Sequence, residues 1–234
     1  MENNFDIQTY LYLDSKKLSI SVYDDLFNQI YTEDFLFDEK LKNFSLDDLD
    51  FFLNKNIFKI EKNLNNFVKK IIVIIKTDEF FKIDISVKKN SYEDSNSNTS
   101  LKYLLNEAKD CCKKTVEEKK ILHMIIESYK LDNQHFSYLP KNKNTKNFSI
   151  DIKFICLSLH IIKNLENILK KYQISLGQIL CANYILDFFE STNDRDIFKM
   201  AKKMMDGYNP NEVLLTLKTN KKQGFFEKFF NFFS

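Results

Sequence analysis

The chain of 234 residues is poor in glycine above all else. It has three, Gly177, Gly207 and Gly224, so none falls in the first 176 positions. A loop that cradles phosphate needs glycines to let backbone N–H groups approach the ligand. A standard Walker or dinucleotide loop is thereby excluded. Apolar runs of about 18 residues are also missing, so no transmembrane helix is predicted. The first residues, Met1-Glu2-Asn3-Asn4-Phe5-Asp6, are acidic and lack the basic and apolar regions of a signal peptide. The expected location is the cytoplasm. A net charge of +2, with lysines interspersed among Asp and Glu, sets up no field for nucleic acid.

Chemistry-bearing residues are equally sparse in pattern. The four cysteines, Cys111, Cys112, Cys156 and Cys181, lack zinc-site spacing, and the adjacent pair is poor geometry for a mutual disulfide. They read as buried or incidental thiols. His123 sits inside an alternating strand, His135 beside a turn and His160 at the start of a helix. Without neighbouring Asp or Glu, all three read as structural or exposed. Ser15 and Ser19 lack the glycines of a nucleophile elbow. Asp47, Asp48 and Asp50 look like a helix start, and Asp24-Asp25 like a hairpin turn. No catalytic constellation, metal site or cofactor site is expected, and the chain reads as a non-enzyme.

Periodicity predicts a mixed α/β protein. Alternation over 7–14, 18–23 and 26–37 predicts an opening antiparallel meander, with Ser15-Lys16-Lys17 as its first turn. Ser45 then caps a helix carrying Leu46, Leu49, Phe52, Leu53 and Phe58 at helical spacing. The unbroken run of residues 70–76 predicts a buried strand, and 81–87 a half-exposed one. A polar loop over 90–100 leads to a helix over 101–113, then strands over 120–129 and 148–156 flanking a solvent loop. Residues 159–172 form a strong helix, 174–180 a strand and 182–189 a short apolar helix. A further amphipathic helix over 194–206 stops at Gly207, and Asn209-Pro210-Asn211 turns into 213–217.

The last eleven residues, Gly224 onward, are distinctive. At 100° per residue Phe225, Phe226, Phe229, Phe230, Phe232 and Phe233 fall within an arc of roughly 160°. Such a helix is about 15 Å long, against roughly 30 Å of bilayer hydrocarbon. It cannot span a membrane, yet it can lie in the surface of one, with Lys221, Lys222 and Lys228 near the headgroups of anionic lipid. The polar, basic approach before it reads as a linker. Two alternatives stand beside this: the helix docks on its own domain, or in a partner's groove.

The order of motifs from Leu101 onward resembles the bacterial cell-division protein FtsA, an actin-like family that tethers the FtsZ ring to the membrane. Ile121-Leu122-His123-Met124-Ile125-Ile126, Tyr129 and Asp132 match a family strand preceded by a helix. Phe154-Ile155-Cys156 matches the next strand, and Asn164, Ile168, Lys171 and Ile174 match the helix after it. The Phe-rich tail is similar in character to the family's membrane helix. The likeness is good over roughly residues 67–190 and weak over the first 60.

That resemblance implies an α/β (α+β) fold: half of an actin-like fold, with an inserted SHS2-type subdomain. Residues 1–77 and 159–217 would form a reduced first subdomain, 78–158 the SHS2-like insertion, 218–223 a linker and 224–234 the amphipathic helix. Leu13-Asp14-Ser15-Lys16-Lys17 keeps the Asp and Lys of the family's phosphate loop but lacks its glycine-containing centre. The second phosphate loop, the adenosine-binding glycines and the second half of the fold are missing, so ATP binding is not carried over. The implied role is a shortened adaptor on the inner face of the inner membrane, at the division site. Its partners would be division proteins, FtsZ or later ones, with self-association possible through the inserted subdomain. Two other readings remain open: an ATP-binding homologue with degenerate loops, and a soluble scaffold like the pilus-assembly relatives of FtsA.

Overall fold

The computed structural model describes residues 7–37, 45–90, 97–132, 134–139 and 147–214. Strands β1 (Gln8–Leu13), β2 (Lys17–Tyr23) and β3 (Gln29–Leu36) form the expected meander, and β4 (Lys70–Ile75) and β9 (Ser175–Cys181) run parallel to β1. The resulting sheet has the order β3-β2-β1-β4-β9. Helix α1 (Leu46–Leu64) links β3 to β4, and α3 (Leu159–Lys171) precedes β9. This is a mixed α/β fold.

Both faces of that sheet are covered. Leu11, Leu13, Ile71, Val73 and Ile75 pack against α1 and α3 through Phe52, Leu53, Ile57, Leu165 and Leu169. Tyr10, Tyr12, Ile74 and Leu180 face the other way, onto α4 (Ala182–Phe188) and α5 (Ile197–Met205). Burial on both sides explains why β4 is an unbroken apolar run, and why β1 alternates aliphatic with aromatic residues. Helix α1 starts where expected, because Ser45 Oγ accepts the Asp47 N–H at 3.2 Å. Its inward stripe differs from expectation at two places, Leu46 in the first turn, which is exposed, and Phe58. Asn56, Ile57 and Ile60 are buried, whereas Phe58 points outward and is 72% exposed.

The second sheet lies wholly between β4 and α3 in the chain. It comprises β5 (Phe81–Asn90), β6 (Lys119–Leu131), β7 (Gln134–Phe136) and β8 (Asn147–Ser158), in the order β5-β8-β6-β7. Helix α2 (Ser97–Thr115) covers one face, packing Leu104, Ala108 and Cys112 against Ile150, Ile152 and Phe154. It takes in residues 97–100, which the sequence pattern assigned to a loop. Strand β7 was unforeseen: Asp132 adopts φ 52° and lets the chain fold back on β6 without a glycine.

The first glycine now has a reason. A Cβ at Gly177 would stand 2.9 Å from the Ile71 carbonyl oxygen, where the β4–β9 register shifts. Gly207, at φ 82°, ends α5 in the left-handed region.

Candidate functional site at the strand ends

In open α/β sheets, ligands bind beyond the carboxyl ends of the parallel strands. Here register places Leu13 beside Ile75 and Ile75 beside Cys181, so β1, β4 and β9 end in one row. The β1–β2 turn stands at one end of it. The Asp14 N–H donates to the Lys17 carbonyl at 3.0 Å, closing the turn tightly. Asp14 is buried and accepts from Tyr12 Oη at 3.2 Å and Ser15 Oγ at 3.3 Å. Lys76 Nζ lies 3.9 Å from the same carboxylate. Burial, and then the Asp14 charge, push the Tyr12 phenol well above its ordinary value. Lys17 is engaged by Asp34 at 3.8 Å and lies over the Tyr12 ring.

These residues do not fit a nucleotide phosphate. The turn presents a buried carboxylate, Lys76 and Lys17 face Asp14 and Asp34, and no glycine opens its backbone into an anion nest.

At the other end of the row the second sheet plugs in. His123, on β6 beside a register shift, is 1% exposed. Its Nε2 accepts the backbone N–H of Cys181 at 3.0 Å. That bond assigns the ring proton to Nδ1, which donates to Glu212 Oε1 at 2.7 Å. Tyr184 Oη donates to Glu212 Oε2 at 3.0 Å, and Asn209 Nδ2 donates to Tyr184 Oη at 2.7 Å. Burial, and then the Glu212 charge, raise the Tyr184 phenol far above its usual value. The segment carrying Glu212 is itself clamped to β6, by Ile126 N–H to Asn211 O at 2.9 Å and Val213 N–H to Met124 O at 2.8 Å.

Cys181, His123 and Glu212 are the residue types of a thiol-nucleophile triad, but their bonds are wrong for one. A base needs a free ring nitrogen facing the nucleophile. Here both nitrogens are engaged, and Cys181 offers its main chain, not its sulfur. Burial also raises the Cys181 thiol. The cluster is a polar strut that joins β6, β9, α4 and the 209–213 segment.

The other candidates stay apart. His135 is exposed on β7, and His160 pairs with Asn164 in the first turn of α3. Asp24 accepts the Asn28 N–H at 2.7 Å within a hairpin turn, and Asp47 and Asp48 occupy the first turn of α1. Cys112, Cys156 and Cys181 are buried, and Cys111 is exposed. Among the described residues no three His, Cys, Asp or Glu side chains converge as metal ligands. The membrane candidates Phe225, Phe226, Phe229, Phe230, Phe232, Phe233, Lys221, Lys222 and Lys228 lie outside the described residues. Glu212, Tyr184 and Asn209 were missed: the His123–Glu212 pair spans 89 positions, and no local pattern links its members.

Fold and site together define an α/β protein whose row of strand ends is closed at both sides by its own side chains, with a cavity of about 230 Å³ left beyond Ile75, lined by Leu46, Thr77, Glu79 and His160. No family model matches the chain, and no curated protein matches it in sequence. Among solved structures it is similar to a PilM–PilN type IV pilus biogenesis complex, at 7% identity and a TM-score of 0.45, over 79% of this chain and 50% of that one. The cytoplasmic domain of EpsL, an inner membrane component of the type II secretion system of Vibrio cholerae, matches at 12% identity and a TM-score of 0.37, over 77% and 57%. A Bacteroides thetaiotaomicron protein with an actin-like ATPase fold and unknown function matches at 14% identity and 0.33, over 81% and 57%. The chain spans about half the length of these structures. None of the helices among the described residues is long and apolar enough to cross a membrane.

Proposed function

We propose that the chain is a non-enzymatic, FtsA-like adaptor that holds division proteins at the cytoplasmic face of the inner membrane. Its Phe-rich helix over 224–234 is the reversible anchor, and the sheet inserted between β4 and α3, an SHS2-type unit in this reading, presents the partner surface. The observation that carries the reading is the closure of both sides of the strand-end row by the chain's own side chains. Asp14 with its turn, and His123 with Glu212, occupy the ground where a sheet of this type takes a ligand. Function then rests on surfaces, and the amphipathic tail is the most legible of them.

Two measurements test it. Deleting 224–234 should release the chain from vesicles containing phosphatidylglycerol; unchanged co-sedimentation would remove the anchor. Calorimetric titration with Mg-ATP should give no heat of binding; saturable binding at micromolar concentration would replace the adaptor with an ATP-dependent homologue. Capture of FtsZ or of other division-protein cytoplasmic peptides by the full chain identifies the partner.

A further inference from the structure

We infer that the outward face of α1 and the groove beside its C-terminal end form a second contact with an anionic lipid surface. The inference rests on the membrane reading above for its setting, and it adds a site on the folded domain to the tail.

Four phenylalanines are exposed among the described residues, and three belong to α1 or its exit: Phe51 at 62%, Phe58 at 72% and Phe67 at 71%. At 100° per residue Phe51, Lys55, Phe58 and Lys62 fall within about 60° of the helix circumference. They make one outward stripe in which aromatic rings and ammonium groups alternate. Phe58 and Phe67 also share a groove of about 460 Å³, together with Ile57, Val68, Lys69 and Tyr172. The inward face of α1 is already filled by Leu49, Phe52, Leu53, Ile57 and Ile60, so core packing gives no reason for the outer rings. Clustered exposed rings carry an aggregation liability that a surface without a binding role avoids.

Charge points to the occupant. Lys59, Lys62 and Lys69 are exposed, and none forms an ion pair among the described residues. Lys171, on the groove wall, is held by Asp50 at 2.6 Å, and Lys55 lies 4.0 Å from Glu33. The acid lining the groove is Glu61, whose carboxylate accepts the Val68 N–H at 3.1 Å. Of the other acids on α1, Asp47 and Asp48 stand in the opposite, N-terminal turn, and Asp50 is the one paired with Lys171. Protruding rings flanked by lysines suit the boundary between headgroup and acyl chain, where rings insert and ammonium groups meet anionic lipid. A weak tail anchor gains from just such a second site, because two linked contacts multiply.

The test uses the full chain in four forms: unaltered, Phe58→Ser with Phe67→Ser, Phe226→Ser with Phe229→Ser and Phe230→Ser, and all five changes together. Each is sedimented with vesicles of phosphatidylcholine alone and of phosphatidylcholine mixed with phosphatidylglycerol. The groove pair should lower apparent affinity for the anionic vesicles by about tenfold, as partial burial of two rings implies, with the thermal midpoint unchanged. The tail variant should keep a residual, salt-sensitive binding that the five-fold variant loses. If the groove pair binds like the unaltered chain while the tail variant is released, the inference falls and the anchor stands. If the tail variant binds normally and the groove pair does not, the groove stands and the tail anchor falls. Unchanged vesicle binding together with loss of self-association in light scattering would assign this face to a second copy and overturn the inference.

Discussion

In the five-stranded sheet both faces are roofed, by α1 and α3 on one side and α4 and α5 on the other. In the four-stranded sheet α2 covers one face, and polar side chains dress the other. There Asp151, on β8, accepts Ser86 Oγ from β5 and Ser128 Oγ from β6 at 2.6 Å each, and Lys130 Nζ at 2.7 Å. Lys153 pairs with Glu127 beside it. The difference is one of job. A sheet buried on both sides is scaffold, whereas one with a bare, hydrogen-bonded face is free to present a surface. His123 joins the two, because it reaches from the second sheet to the end of β9 in the first.

The largest effect should come from breaking the scaffold. Phe52 is 2% exposed and packs against the Phe35 ring at 6.4 Å. Phe52→Ala should cost about 3–5 kcal/mol in urea unfolding, since the cavity cannot refill. If the two sheets unfold together, amide exchange should quicken by one common factor in β2 and β8. The strut comes next. His123→Ala leaves the buried Glu212 carboxylate with Tyr184 as its remaining side-chain donor and orphans the Cys181 N–H. A loss of about 2–3 kcal/mol is expected, and the exchange rates of β2 and β8 should now separate. A uniform response would mean that the apolar contact between the sheets suffices to couple them.

What the sequence made legible follows from distance along the chain. Ser45 with Asp47 and Asp48, the run from Ile71 to Ile75, and the stripe Ile162, Leu165, Ile168 and Leu169 are local patterns, and each formed as read. Strand β7 was not legible, because Gln134-His135-Phe136 is too short to show a period. Nor was the start of α2, where Ser97-Asn98-Thr99-Ser100 has a loop's composition. Phe58 sits six positions beyond Phe52, which at 100° per residue is about 120° off the inward stripe. The strut was invisible for another reason. His123 and Glu212 meet only through the tertiary fold, and the nearest hint was a lone histidine in an apolar strand. The Phe-rich tail keeps the standing the sequence alone confers on it.

The smallest effect lies on the bare face, and pH brings it out. Burial alone would raise the Asp151 carboxyl, but the Lys130, Ser128 and Ser86 hydrogen bonds outweigh it and hold the group at about 2 instead of its ordinary 3.8. A folded-state value below the unfolded one means stability that is full above the unfolded value and lost as pH falls through the folded one. At neutral pH the depression is worth about 2 kcal/mol, and solvent screening of a side chain 24% exposed trims it toward about 1 kcal/mol. Asp151→Asn should therefore lower stability by about 1–2 kcal/mol at pH 7. The gap to the unaltered protein should close between about pH 4 and pH 2. Taking the difference between the two proteins at each pH removes the titration of Asp24 and Asp50, which are also depressed. Added salt should narrow the gap at pH 7 as well, because the Lys130 charge is partly exposed. A gap that ignores both pH and salt would mean that the outer face is held by sheet hydrogen bonds alone, and that its charges are free to meet a partner.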